Sequence, residues 1–180
     1  MATIRFEERD DIESINKLTI AAFEASEFGH HGEAALIDEL RKNNAGVFSL
    51  VAVDRDIVLG HLMASTAKIR NRDRNIAEGI ALGPMSVLPN RQRTGIGSQL
   101  VDELLRQANL ADCKYVIVFG HAEYYPKFGF ERASVLNIKH AFEGLPQELL
   151  FINVLDETCS SIIEGGTALY NEAFGPQVEQ

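Results

Sequence analysis

The segment that most restricts this chain is an apolar run over residues 77 to 88, broken by Gly83-Pro84. It passes through Leu88-Pro89-Asn90-Arg91-Gln92-Arg93-Thr94-Gly95-Ile96-Gly97-Ser98 into a strongly periodic stretch. Proline has no N–H to give to a ladder, so a strand with proline inside it must bulge or open there, and we expect a gap in the sheet at that point. The periodic stretch sets Ile96, Leu100, Val101, Leu104, Leu105 and Ala108 on one side and Asp102, Glu103, Arg106 and Gln107 elsewhere, the pattern of an amphipathic helix. A helix start fed by a glycine-containing loop suits an anion. Its first amides have no acceptor in the helix, the dipole adds positive potential, and glycine lets phosphate oxygens come close to the backbone. A Walker loop would need lysine and then serine or threonine after its last glycine, whereas Gly97 is followed by Ser98-Gln99. A dinucleotide fingerprint would need glycine or alanine where Leu100 stands. The loop alone leaves two readings open, a pyrophosphate cradle and a turn that does no more than start a helix.

Along the chain, residues 3 to 7 alternate like a strand. Asp10 with Glu13 resembles a capping box that opens a helix carrying Ile12, Ile15, Leu18, Ile20 and Phe23. Residues 24 to 32 break that pattern, and a second amphipathic segment with Ala34, Leu36, Ile37 and Leu40 runs to Asn43-Asn44. Residues 47 to 53 and 57 to 69, around Asp54-Arg55-Asp56, read as a hairpin. Residues 115 to 119 read as a short buried strand, 122 to 128 as a short helix ending at Gly129, and 149 to 155 as a strand. The order is mixed α/β with no linker, so we expect a single domain over residues 1 to 180.

The formal charge is −9. That balance opposes broad attraction to nucleic acid or anionic lipid, both of which ask for lysine and arginine. We therefore expect no nucleic acid and no membrane among the partners, and a neutral or cationic substrate. Arg70, Arg72 and Arg74, with Asp73 among them, form the one basic cluster and read as a solvated loop. Cys113 and Cys159 lack CxxC or metal-ligand spacing and read as ordinary thiols, with no metal implied. The N-terminus has no basic segment followed by an apolar run, and no apolar stretch approaches spanning length, which points to the cytoplasm.

On these residues the chain resembles the GNAT acyltransferases. Gln92-x-x-Gly95-x-Gly97, after a strand ending Val87-Leu88-Pro89, is similar to that family's acetyl-CoA pyrophosphate motif. Val116-Ile117-Val118-Phe119-Gly120 resembles its fifth strand, and Tyr124-Tyr125-Pro126-Lys127-Phe128-Gly129-Phe130 its tyrosine-helix-Gly-Phe segment. Order and spacing agree over residues 3 to 155. Gly83-Pro84-Met85-Ser86-Val87, the paired tyrosines and Tyr170-x-x-x-Phe174 resemble a bacterial subgroup of predicted N-acetyltransferases. The fold so implied is the α/β GNAT fold, a mixed central sheet splayed between its fourth and fifth strands and flanked by helices.

The resemblance also implies acetyl-CoA as cofactor, its pantetheine arm lying in the splay as a surrogate strand. Cofactor-binding residues are then Met85, Ser86 and Val87 on the strand, Gln92, Arg93, Thr94, Gly95, Ile96, Gly97 and Ser98 in the loop, and Lys127, with Arg91 and Arg93 further screening the phosphates. Arg93 stands where the family often has glycine. Tyr125 takes the general-acid position opposite the leaving thiolate, a strand amide near Met85 or Val87 faces the oxyanion, and Tyr124 reads as a core or rim aromatic. Some branches carry a strand carboxylate near the position of Ala81; here Glu78, His121 and a water chain stay open as the base, histidine being a residue type that titrates near neutrality. His30 and His31 fall in the loop that faces the acceptor in this family. The implied reaction is acetyl transfer by direct attack of an amine, on a small molecule or a peptide, and a homodimer is compatible with it. The missing strand carboxylate keeps an alternative open, a non-catalytic acyl-CoA-binding module that acts as sensor or structural subunit. A longer acyl chain or a hydroxyl acceptor also stays open.

Overall fold

The computed structural model describes residues 2–25 and 32–178. The chain forms two compact units, one drawn from Met1–Ala64 and Gly83–Arg106, the other from Ser65–Leu82 and Gln107–Gln180. Neither is a contiguous stretch, because two long strands contribute to both.

The first unit holds β1 (Thr3–Phe6), α1 (Ile12–Glu24), α2 (Glu33–Lys42), β2 (Gly46–Asp54), the first part of β3 (Ile57–Arg70), the end of β4 (Ile76–Val87) and α3 (Ile96–Leu110) as far as Arg106. β1 runs antiparallel to β2, Thr3 opposite Val53 and Phe6 opposite Leu50. α1 buries Ile15, Leu18, Thr19 and Ala22, an i, i+3, i+4, i+7 stripe that packs against Val51, Val53 and Val58. Ile20, expected on that face, is exposed because it lies about 100° round the helix from Thr19. The capping box also differs from expectation. Asp11 rather than Glu13 reaches back, accepting from the Glu8 N–H at 2.8 Å and from both Arg5 guanidinium nitrogens at 2.6 and 2.9 Å, while Glu13 pairs with Lys17 one turn on.

A buried polar cluster ties α2, β2 and β3 to Glu7, the residue that follows β1. Arg41 on α2 forks onto Glu7 through Nε at 2.8 Å and Nη2 at 2.9 Å. The Ser49 hydroxyl on β2 donates to the same carboxylate, and His61 on β3 sets its Nε2 2.8 Å from the Ser49 oxygen. Since that hydroxyl gives its hydrogen to Glu7, the His61 Nε2 is the donor to Ser49, which leaves Nδ1 as a buried lone pair with no partner among the described residues. Burial pushes the Glu7 carboxyl up, but the hydrogen bonds from His61, Arg41 and Ser49 together outweigh it and hold the carboxyl at about 2. Burial of His61 lowers its pKa and keeps the imidazole neutral, against the opposing pull of Glu7.

The second unit contains the rest of β3 and β4, then β5 (Tyr115–Phe119), β6 (Glu131–Arg132), β7 (Lys139–His140), β8 (Leu150–Val154), α4 (Ser160–Ile163) and β9 (Thr167–Tyr170). β5 lies between β4, to which it is parallel, and β8, to which it is antiparallel. β6 pairs with β8, β9 runs antiparallel on β3, and β7 runs parallel on β9. Through the shared strands the hydrogen-bonded order is β1-β2-β3-β4-β5-β8-β6, a mixed sheet as the sequence implies. Tyr115, Ile117, Leu150, Ile152, Ile163 and Tyr170 belong to one buried cluster. Only Tyr125–Phe128 of the helix expected over 122 to 128 is helical, as one 3-10 turn, since Pro126 lacks the N–H to continue a ladder and Gly129 closes the turn at φ 83°. The sequence pattern does not predict β6, β7 or β9.

The gap expected at Gly83-Pro84 is visible in the ladder. β4 and β5 pair at Ile80–Val116 and Ala81–Ile117 and no further, although β5 continues to Phe119. Gly83 follows at φ 136°, a conformation in which a side chain would be strained. Cys113 and Cys159 are unbridged. Among the described residues no helix is long and apolar enough to cross a membrane.

The polar cluster makes stability depend on acid. Glu7 ionises at about 2 in the folded protein against 4.5 ordinarily, so its contribution is complete above 4.5 and is lost as pH falls towards 2. His61, buried neutral, binds its proton more readily once unfolded, so stability also falls below its ordinary 6.5. The urea midpoint should therefore decline from about pH 7 to about pH 3, and Glu7→Gln should lower it at neutral pH and flatten the acid limb. An unchanged acid limb in Glu7→Gln would remove the cluster as the cause.

Candidate active site

In the first unit, hydrogen-bond parity decides what the end of β4 can offer. The Leu88 N–H donates to the Leu59 carbonyl on β3 at 2.9 Å. In an antiparallel ladder successive residues turn their N–H and C=O to opposite edges, so Ser86 faces β3 with Leu88, whereas Met85 and Val87 face away from it. The Ser86 side chain is buried 3.2 Å from the Thr19 hydroxyl of α1, so of the three strand residues expected to bind cofactor it is the one held inward by both backbone and side chain. The Val87 carbonyl accepts from Gln92 Nε2 at 3.3 Å, which ties the loop back to the strand.

The loop itself is exposed at Arg91, Gln92, Arg93, Thr94 and Gly95. Pro89–Arg91 is a 3-10 turn, and the Thr94 hydroxyl donates to the Arg91 carbonyl at 2.6 Å. The first bond of α3 after the loop runs from the Gln99 N–H to the Gly95 carbonyl at 3.0 Å, so Ile96 and Gly97 belong to the turn whose amides have no intrahelical acceptor, with Ser98 next to them. Arg93 sits at φ 60° and Gly95 at φ 92°. The left-handed conformation explains why glycine would suit position 93, and arginine takes it at a cost of roughly 1–2 kcal/mol. Arg93→Gly should therefore keep the melting temperature level or raise it slightly while weakening the binding of a pyrophosphate-bearing ligand by several-fold, read by calorimetry. Equal loss of stability and binding would contradict this.

In the second unit the same parity argument applies to β5. The Gly120 N–H donates to the Leu149 carbonyl beside β8, so the N–H and C=O of Phe119 point to the opposite edge, where the β4 ladder has already ended. Tyr125 follows at this end of β5. Its ring is buried against Phe130, centroids 5.6 Å apart, and packs so closely on Gly120 that a Cβ there would lie 1.9 Å from Tyr125 Cε2. Burial, helped by Tyr124, pushes the Tyr125 phenol well above its ordinary range, so it is a proton donor at neutral pH. Tyr124 is half-buried with the Lys127 ammonium 4.0 Å from its ring centroid. His121 is exposed, and its carbonyl accepts from the Tyr124 and Tyr125 amides at 3.0 and 3.4 Å. Gly120→Ala should push the Tyr125 ring aside, lowering the melting temperature by several degrees. A Gly120→Ala protein as stable as the wild type would show that the ring has room to spare.

The structure does not bring Glu78 to this place. It is exposed near the start of β4, 3.9 Å from Lys68, and borders a hollow with Asp112, Cys113 and Lys114 ahead of β5. The length of β5, roughly 16 Å, separates it from the strand end that leads to Tyr125. His30 and His31 lie outside the described residues. A cleft of about 1010 Å³ bordered by Arg70, Arg72, Arg74 and Lys139 opens on the face of β9 that carries Thr167 and Leu169, and holds none of the candidates. Sequence reasoning gives no role to Gly120 or Tyr170. The first is recognisable only once a ring is seen against it, and the second comes from a strand that the sequence pattern does not predict.

The chain matches the acetyltransferase (GNAT) domain over residues 43–132. It is 32% identical over 114 residues to YjhQ, an uncharacterised N-acetyltransferase of Escherichia coli K12, a match spanning 62% of each chain. It is 26% identical over 172 residues to the E. coli N-acetyltransferase YhbS, covering 95% of this chain and 97% of that one. Among solved structures it superposes on a GNAT acetyltransferase from Brucella melitensis in complex with acetyl-CoA, with TM-score 0.80 and 29% identity over 97% of this chain and 99% of that one. The structure of E. coli YhbS with CoA has TM-score 0.84 at 24% identity, over 99% and 96% of the two chains, and shares the fold. A strand passing through a glycine loop into a helix, a parallel ladder that stops early and a buried tyrosine after β5 thus occur in a chain that belongs to the GNAT acetyltransferase family.

Proposed function

We propose that this chain transfers an acetyl group from acetyl-CoA to an amine. The observation that carries the reading is the ladder: β5 runs on to Phe119 after its last β4 pair at Ile117, leaving main-chain groups for an extended ligand to meet. The solved relative with acetyl-CoA supports the choice of cofactor. The residues present fit it. Met85 and Val87 turn their amides away from β3, and the amides of the loop through Gly97, with Arg93, suit a pyrophosphate.

When bound, acetyl-CoA supplies a thioester whose carbonyl carbon the amine attacks, the C–S bond breaking with its electron pair left on sulfur. Tyr125, kept protonated by burial, gives its proton to that sulfur. The nitrogen gives up its own proton on forming the amide, and His121, at the same end of β5 as Tyr125, receives it.

Coenzyme A release measured with a panel of amines tests this reading, and tight acetyl-CoA binding with no turnover on any amine would favour the binding-module alternative. Tyr125→Phe keeps the buried ring and should lower turnover by about a hundredfold, with acetyl-CoA affinity little changed. Tyr124→Phe should stay near wild type. If Tyr124→Phe is the more damaged, Tyr125 is not the acid. His121→Gln should slow turnover, while Glu78→Gln should leave it as it is. The reverse pattern would move the base to Glu78.

A further inference from the structure

Tyr170 is the last residue of β9, and its burial is not explained by packing alone. Its ring lies among Phe119 at 5.1 Å, Phe142 at 5.5 Å and Phe174 at 5.1 Å between centroids. Its backbone is locked from both sides, the N–H donating to Gln177 Oε1 at 2.7 Å and the carbonyl accepting from Gln177 Nε2 at 2.9 Å. Yet the hydroxyl is fully buried with no hydrogen-bond partner among the described residues. Phenylalanine would fill the same aromatic cluster without leaving a polar atom unsatisfied, which ordinarily costs about 1–3 kcal/mol.

Burial raises the Tyr170 phenol well above its ordinary range, the Tyr125 phenol raises it further, and the backbone of Phe119 lowers it. The Tyr170 ring packs on the side chain of Phe119, the last residue of β5, whose own N–H and C=O face the edge where the β4 ladder has ended. Tyr170 therefore lies at the end of β5 that β4 leaves unpaired, the end that leads to Tyr125.

We propose that the Tyr170 hydroxyl is a donor to the acyl carbonyl oxygen of bound acetyl-CoA, a contact made by this chain only when the thioester is present. The inference rests on the acetyl-CoA reading and adds a residue to it. The phenol remains protonated, so it donates one hydrogen bond and gives up no proton. Its lack of a partner among the described residues is what a group reserved for a ligand would show.

The test compares wild type with Tyr170→Phe by calorimetry against acetyl-CoA and against coenzyme A, which lacks the acyl carbonyl, together with the melting temperature of the ligand-free protein. Tyr170→Phe should weaken acetyl-CoA binding by about 3–10-fold and leave coenzyme A binding unchanged. The ligand-free melting temperature should rise by about 2–4 °C because an unsatisfied buried hydroxyl is gone, and that reading also shows that the variant folds. Equal affinity changes for the two ligands, no change for either, or a fall in melting temperature would overturn the inference while leaving the acetyl-CoA reading intact. If wild type binds neither ligand, that reading fails and the inference falls with it.

Discussion

The early end of the β4–β5 ladder is the constraint on which the functional reading depends. A parallel pair normally satisfies the backbone of both strands as far as the shorter one reaches. Here it stops at Ala81–Ile117, and beyond that point each strand is oriented by its other neighbour. On β4 the bond from Leu88 to Leu59 turns Met85 and Val87 away from β3; on β5 the bond from Gly120 to Leu149 turns Phe119 away from β8. Both outward edges are thus fixed by ordinary antiparallel pairing on the inner side. Side-chain identity hardly enters, which suits recognition of a ligand through its own amides.

Each unit retains groups that a purely structural protein would replace. Arg93 holds a left-handed conformation that glycine would take without cost, and Tyr170 buries a hydroxyl with no partner among the described residues. Each is locally unfavourable by about a kilocalorie or more. Such departures belong where a protein keeps polar groups oriented for a ligand, at some expense in stability. The stabilising counterpart in the first unit is the Glu7–Arg41–Ser49–His61 cluster, in which one carboxylate gathers side chains from α2, β2 and β3.

Much of this is legible in the sequence, and the reasons are local. The proline inside the apolar run of β4, the glycine loop and the one-sided periodicity of α3 each state a backbone requirement in a few adjacent residues. The residue range of β5 and the hairpin of β2 and β3 follow from similarly short signals. The features that escape such signals are non-local. β6 and β7 are two-residue strands, too short to show any period, and β9 exists because Ala67 through Arg70 of β3 offer it a free edge. The cap sits at Glu8 and Asp11, two residues earlier than the sequence suggests, because its partner Arg5 lies on the preceding strand. Glu78 attracts interest through its proximity in sequence to Ala81, but a strand carries neighbours in sequence steadily apart, and its ion pair with Lys68 lies towards the opposite end of the ladder from Tyr125.

The phenols of the second unit show why chain order is a poor guide to chemistry and burial a better one. Tyr124 and Tyr125 are adjacent in sequence, yet one lies half-exposed under a lysine and the other is enclosed by Phe130, Phe151 and Gly120. Tyr170, far along the chain, is enclosed by Phe119, Phe142 and Phe174. Burial raises both of these phenols, and the Tyr125 phenol further disfavours ionisation of Tyr170. A neutral phenol can serve a site where negative charge develops on neighbouring atoms, because it carries no charge of its own before the reaction begins. A carboxylic acid in place of either would be ionised or would need its pKa raised by several units, whereas a phenol needs only to be kept from water. That requirement is met by the aromatic packing around Tyr125 and Tyr170, so the hydrophobic core of the second unit and its proposed chemistry depend on the same side chains.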